Sequence, residues 1–302
     1  LTMNTHRISY MNSVQRNFEP TGVLIMPFNF LTEAEGTSAD EAIEELRRID
    51  WANELLSVIE HNGGVSFDNT SFLFELRFAR ALHSEEIVPT YEAPGEAKST
   101  LDFEFTHNDQ KWRIELLRLN ETMAARNAIQ KVQVGLVNIW RRVFSSGHPN
   151  NLASEEGETL KAVQRICQKC ARKGRPHKFP APDGAIHVLL IDARTLLSGT
   201  TDMYDWIHIG LGGEYLTQEF HRRYWEGTLI SGVFNSRTTV HGAKWAQERL
   251  HLIGFMKEEQ FGVCDFGSSI KFVANPFLFD SMEDLQNTLA KWPLEGAQLL
   301  NR

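Results

Sequence analysis

An α/β fold, with a mixed central sheet flanked by helices, is what this sequence predicts, and three observations predict it. Leu101 to Thr106 and Lys111 to Leu119 alternate apolar and polar residues, as strands with two unlike faces do. Ile186 to Asp192 is almost wholly apolar, the pattern of a strand buried on both faces of a sheet. Around them lie segments of helical period, the clearest carrying Ala42, Leu46, Ile49, Ala52, Leu56 and Ile59.

Residues 1 to 37 read as a lead-in with one short strand, Gly22 to Phe28. Ser38 is the expected N-cap of the first helix, with Glu41 completing a capping box and Asn62-Gly63-Gly64 ending it. A second helix is expected from Asn69 to His83, with Phe72, Leu76 and Ala79 on one face. Ile87 to Glu92 follows as a strand and Pro94-Gly95 as a turn. The two alternating stretches then pair as a hairpin about His107-Asn108-Asp109-Gln110.

Thr122 to Phe144 has helical spacing through Ile129, Val132, Leu136, Ile139 and Val143. After a polar loop, Ser145 to Gly157, another helix runs from Glu158 to Arg172 and is stopped by Gly174 and Pro176. Thr228 to Asn235 and Ser269 to Ala274 read as strands, and Met282 to Leu300 as a helix broken at Pro293. With no repeat and no linker, a single elaborated domain over 1–302 is expected. Its core covers about 68–275, with an N-terminal helical extension over 1–64 and a C-terminal elaboration.

A net charge of −8 argues against a dedicated nucleic-acid coat but leaves room for an enzyme with local basic patches. Cys167, Cys170 and Cys264 are too few and too oddly numbered for a disulfide framework. The longest apolar stretches are strand-sized, so no membrane span is expected. The polar start, Leu1 to Arg16, has no apolar leader, and a cytoplasmic location is expected.

In the hairpin, alternation sets Asp102 and Glu104 against Phe103 and Phe105, and Arg113, Glu115 and Leu117 against Trp112, Ile114 and Leu116. With the aromatic side in the core, Asp102 and Glu115 converge on one surface. Two neighbouring carboxylates repel, which favours a bound divalent cation or a raised pKa. Ordinary surface charge on a solvated face is the alternative.

The helix "FLFELRFARAL", a strand and turn, "STLDFEF", a short hairpin turn, "KWRIELL" and a following helix resemble the PD-(D/E)XK nuclease superfamily, the restriction-endonuclease-like fold. The resemblance covers residues 68 to 144, and more faintly "AIHVLLIDAR" and "SIKFVANP". It implies that Asp102 is the metal-binding aspartate and Glu115 the acid of the triplet. It further implies a carbonyl ligand from Leu116 and a helical glutamate in Glu75. Magnesium or manganese would be the cofactor, and hydrolysis of phosphodiester bonds in nucleic acid, DNA first, the activity.

This chain departs from that pattern at Leu101, where proline is common, and at Leu117, where the family has its lysine. That lysine orients the attacking water and stabilises developing charge. Some relatives carry the basic or amide group on the following helix. Lys131, with Gln130 and Gln133, is therefore the candidate replacement, and Arg113 another; the catalytic set is then Asp102, Glu115 and Lys131. Without a replacement the domain is an inactive relative that binds nucleic acid or protein.

The most basic segment carries Lys169, Arg172, Lys173, Arg175, His177 and Lys178. Arg172, Lys173, Arg175 and Lys178 are candidate phosphate-backbone contacts, with a solvated helix end as the alternative. "HRRYWEG", His221 to Gly227, offers Tyr224 and Trp225 for stacking on bases or packing in the core. Cys167 and Cys170 would be half of a zinc site with no evident second half, so they read as thiols of the core or surface. The partners expected are nucleic acid, no membrane, and a second copy in a homodimer.

Overall fold

Alternating and doubly apolar strands need cover on two sides. The computed structural model supplies it with one seven-stranded mixed sheet and helices packed on both faces. The structure describes residues 33–65, 71–119, 129–134, 137–142, 155–196, 201–215, 230–257 and 266–300. The expected strand at Gly22 to Phe28 and the "HRRYWEG" segment lie outside them. Seven α-helices fall among the described residues, and none is long and apolar enough to cross a membrane.

The single helix expected from Ser38 is two: α1 (Glu33–Leu46) and α2 (Asn53–His61). Ile49 between them is extended, with φ −116° and ψ 115°. The break lets Leu46 of α1 and Leu55 and Ile59 of α2 enter one core. Ser38 lies inside α1, whose first turn instead carries Glu33 and Glu35, a favourable charge at the positive end of a helix. Helix α3 (Ser71–Ser84) packs Leu73, Leu76 and Phe78 on the same core.

Three strands follow as an antiparallel meander: β1 (Thr90–Pro94), β2 (Thr100–His107) and β3 (Gln110–Arg118). Asn108 and Asp109 turn the β2–β3 hairpin with φ of 49° and 59°. Asn and Asp tolerate the left-handed region, which a two-residue hairpin turn requires at both central positions.

The helix expected over Thr122 to Phe144 is not formed by its described residues. They make two antiparallel strands, β4 (Ile129–Val134) and β5 (Val137–Arg142). Ile129, Val132, Val134, Val137 and Ile139 are β-branched and lose side-chain freedom in a helix, so the strand period wins. Lys131, Gln130 and Gln133 therefore belong to a strand. Among the described residues, the helix between β3 and the next strand of the sheet is α4 (Glu155–Cys170).

A small hairpin, β6 (Ala171–Arg172) and β7 (Arg175–Pro176), turns at Lys173 and Gly174 with φ of 50° and 74°. Strand β8 (Ile186–Asp192) then runs parallel to β3. The remainder is α5 (Met203–Leu211), α6 (Ala243–Arg249), β9 (Leu252–Met256), β10 (Ile270–Ala274), α7 (Met282–Leu289) and β11 (Gln298–Leu299). The sheet order is β1-β2-β3-β8-β9-β10-β11, with β3, β8 and β9 mutually parallel.

Residues 230–235, expected as the end of a strand, form turns: Val233 and Phe234 donate to the Ile209 and Gly210 carbonyls of α5. The tail helix stops at Leu289, and Gln298 and Leu299 join the sheet beside β10 instead.

Two cores result. Val188 and Leu190 of β8 enter the first, with α1, α2 and α3, while Leu189 and Ile191 enter the second, with α4, α5 and α6. Leu252 and Ile253 of β9 divide the same way.

Candidate active site

Glu115 lies mid-strand in β3 and is fully buried, which excludes the solvated-face alternative for this residue. In the β2–β3 register Phe103 faces Ile114, so the next step sets Asp102 beside Glu115. Alternation along β2 breaks here. Leu101 packs in the second core, whereas Phe103 and Phe105 pack in the first. On the neighbouring strand, between the Tyr91–Phe103 and Ala93–Leu101 pairs, Glu92 takes a left-handed conformation with φ 49°. That conformation is uncommon for a residue with a side chain, and it falls on β1 opposite Asp102, where the alternation of β2 breaks. The Asp102 carboxylate then accepts the Leu116 N–H at 2.5 Å.

Glu75 approaches from α3, and the Tyr91 hydroxyl donates to its Oε2 at 3.0 Å. Burial raises the Glu75 carboxyl first, the Tyr91 hydrogen bond opposes this, and the Glu115 charge adds to it. Asp102 is pushed up to about 8, by burial and then by the charges of Glu115 and Glu75. Glu75, Asp102 and Glu115 therefore share one electrostatic neighbourhood.

This has a measurable consequence. In the unfolded chain Asp102 ionises near 3.8, against about 8 in the folded one. Between those values the folded state keeps a proton that the unfolded state has released, so this group's contribution to stability falls as pH rises. Asp102→Asn is expected to remove that fall. Urea unfolding should show the variant gaining on the wild type steadily from pH 4 towards pH 8. Parallel curves would separate Asp102 from the other two charges.

Two ammonium groups hold Glu115. Lys169 of α4 lies 2.5 Å from Oε1, and Lys178 lies 3.0 Å from Oε2. Burial would lower the Lys169 ammonium, but Glu115 overrides this and raises it. Lys178 also donates to the Thr100 carbonyl, at 2.7 Å.

Lys178 is delivered by a fixed corner. Its φ is 60°, its N–H donates to Ser99 Oγ at 3.1 Å, and its carbonyl accepts the Glu96 N–H at 2.9 Å. A Cβ on Gly95 would fall 2.6 Å from that carbonyl, so the β1–β2 turn can come this close only with glycine there.

Lys178, expected as a phosphate contact on the surface, is thus turned into the site, while Arg172, Lys173 and Arg175 stay exposed around the hairpin turn. Arg113 does not replace the lysine: it pairs with Glu104 at 2.8 Å and Asp183 at 2.9 Å. The side chain of Lys131 lies outside the described residues. Leu117 follows Glu115 on the same face and packs on the second core. Cys167 and Cys170 are free thiols buried in that core, and burial pushes Cys167 up to about 12 and Cys170 up as well.

Lys169 is the site residue that sequence reasoning left in the basic segment. A signal for it exists. It falls three residues after Ile166 and seven after Ala162, on the inward face of α4. A lysine on an apolar helix face needs a buried partner.

Among the described residues no group of three or more acidic, histidine or cysteine side chains could hold a metal ion. The donors nonetheless suit magnesium or manganese, which take hard oxygen ligands, keep several waters and need only one or two carboxylates. Both Glu115 oxygens already face ammonium groups, and the raised Asp102 marks a concentration of negative charge beside them. No protein-family model, curated protein or solved structure matches the chain.

Proposed function

We propose that the chain is a metal-dependent nuclease with a restriction-endonuclease-like core, hydrolysing phosphodiester bonds of nucleic acid, DNA first. One observation carries this reading: Glu75, Asp102 and Glu115 share a site with the ammonium of Lys169, which contacts Glu115. The sheet neighbours β1, β2, β3 and β8 support it, with α3 before them and α4 in the connection from β3 to β8. One or two of the carboxylates Glu75, Asp102 and Glu115 would hold magnesium or manganese, which when bound polarises the phosphate and makes its water more acidic.

Lys169 takes the role that Leu117 cannot. Its charge orients the attacking water and stabilises the charge that develops on the phosphate. The exposed Arg172, Lys173 and Arg175 carry the strand to the site through its backbone. The test is cleavage of mixed DNA and RNA with magnesium and manganese by wild type and Asp102→Ala. Activity in the wild type, absent from the variant, is expected. Binding without cleavage in both would assign the fold to a binding module.

Replacing Arg172, Lys173 and Arg175 together by alanine should weaken binding of unrelated sequences alike. On duplex DNA the slope of log affinity against log salt should become shallower by about 0.9 for each phosphate that is no longer neutralised. An unchanged slope would leave those residues as solvated surface.

A further inference from the structure

We infer that the outward face of α4 reads base edges in the major groove of duplex DNA. The inference rests on the nuclease reading and deepens it by naming how a substrate is chosen. Between Glu158 and Asp183 the sequence has seven lysines or arginines and no acid, in a chain whose net charge is −8. On α4 this stretch has two faces. Val163, Ile166 and Cys170 enter the second core. Gln164, Arg165 and Gln168 are exposed and Lys161 is half-buried. At about 100° per residue these last four form a stripe about 100° wide, opposite the core. Among the described residues none of their four side chains has a hydrogen bond or ion pair. The exposed face of α1 differs: there Glu44 pairs with Arg47 and Glu45 with Arg80.

The residue types on this stripe match what a groove presents. A major groove about 12 Å wide admits a helix, and bidentate side chains tell its edges apart, arginine on guanine and glutamine on adenine. Lys161 to Gln168 spans about 10 Å of α4, the rise of about three base pairs. Past the helix end the exposed Arg172, Lys173 and Arg175 supply cations for the phosphate backbone, which positions the duplex without reading it. A face of lysines alone would suit any polyanion, whereas two amides beside an arginine suit bases. Arg165 lies one turn before Lys169, whose ammonium meets Glu115, so the reading face adjoins the candidate active site. An RNA duplex should not be read, since side chains cannot reach into its deep, narrow major groove.

The test is enrichment of bound duplexes from a randomised DNA pool without metal, followed by affinities for the enriched and a scrambled duplex across salt. Wild type should enrich a short sequence containing G or A and prefer it by about 5- to 100-fold for each base read. Gln164→Ala with Gln168→Ala should relax that preference and leave the slope of log affinity against log salt unchanged. Arg165→Lys should do the same, because it keeps the charge but loses the bidentate fork. Lys161→Ala should make the slope shallower and keep the preference. A pool with no enriched sequence overturns the inference whether or not the variants fold. So does a preference that survives in the folded Gln164→Ala/Gln168→Ala and Arg165→Lys proteins, or one equally strong for an RNA duplex. Cleavage in magnesium or manganese is measured apart. Selective binding without cleavage would uphold base reading and remove the nuclease reading; cleavage without sequence preference would do the reverse.

Discussion

Lys169→Met is expected to lower metal-dependent cleavage by about 10²–10⁴-fold, the usual contribution of a positioned proton-transfer or charge-stabilising group. Methionine keeps much of the length and apolar character of the stem that lies along α4, so the drop reports the ammonium. Removing one partner from a buried ion pair costs about 3–5 kcal/mol in stability. The cost here should fall at or below the low end, because Lys178 still pairs with Glu115. Single-turnover cleavage and urea unfolding separate the two effects. Lys131→Ala serves as the contrast and should leave cleavage unchanged. Adding Leu117→Lys to Lys169→Met should recover part of the rate, since position 117 lies on the Glu115 face of β3. Full activity in Lys169→Met would remove Lys169 from the mechanism.

Trp112→Ala is expected to cost about 3–5 kcal/mol, as large-to-small changes of fully buried aromatics do. Trp112 sits on β3, is fully buried, and meets Trp292 edge-on at 5.0 Å. Trp292 in turn meets Phe272 of β10 at 5.3 Å. These rings join the strand that carries Glu115 to the far side of the sheet. Trp112→Phe should cost much less because the ring contact is kept. Urea midpoints should fall in that order with unchanged slopes, since the transition exposes similar surface in each case. A Trp112→Ala midpoint close to wild type would mean that the cavity collapses at no cost.

Asp102 and Glu115 are legible in the sequence because a strand's two-residue period ties their positions to an aromatic face that has to be buried. Glu75 is legible only through the resemblance. Lys169 is hidden for a physical reason. The helix that carries it comes after β4 and β5, whose β-branched residues recur at spacings that fit either period, and the helical reading sends the search to Lys131. Lys178 depends on a left-handed corner held by Ser99 and Gly95, contacts distant in sequence that no local pattern announces.

The fold divides similarly. Strand β8 declares itself by an almost wholly apolar run, and β10 by apolar residues on either side of Lys271. Strand β9 is five residues with Gly254 at its centre, where Leu190, Phe272 and Ile270 pack closely over the backbone. Helices α5 and α6, of nine and seven residues, are too short for a period to show.

The left-handed backbone at Glu92 also bears on strand addition at the sheet edge. Strand β1 is one outer edge of the sheet, and an unpaired edge is a template for a neighbour's strand. Here the edge exposes Thr90, Glu92 and Pro94 in alternation. Glu92 adds a charge and a bend where a flat neighbour would dock, and Pro94 has no N–H to offer. The opposite edge, β11, is two residues long. The bend opposite Asp102 thus also makes this edge a poor template for strand addition.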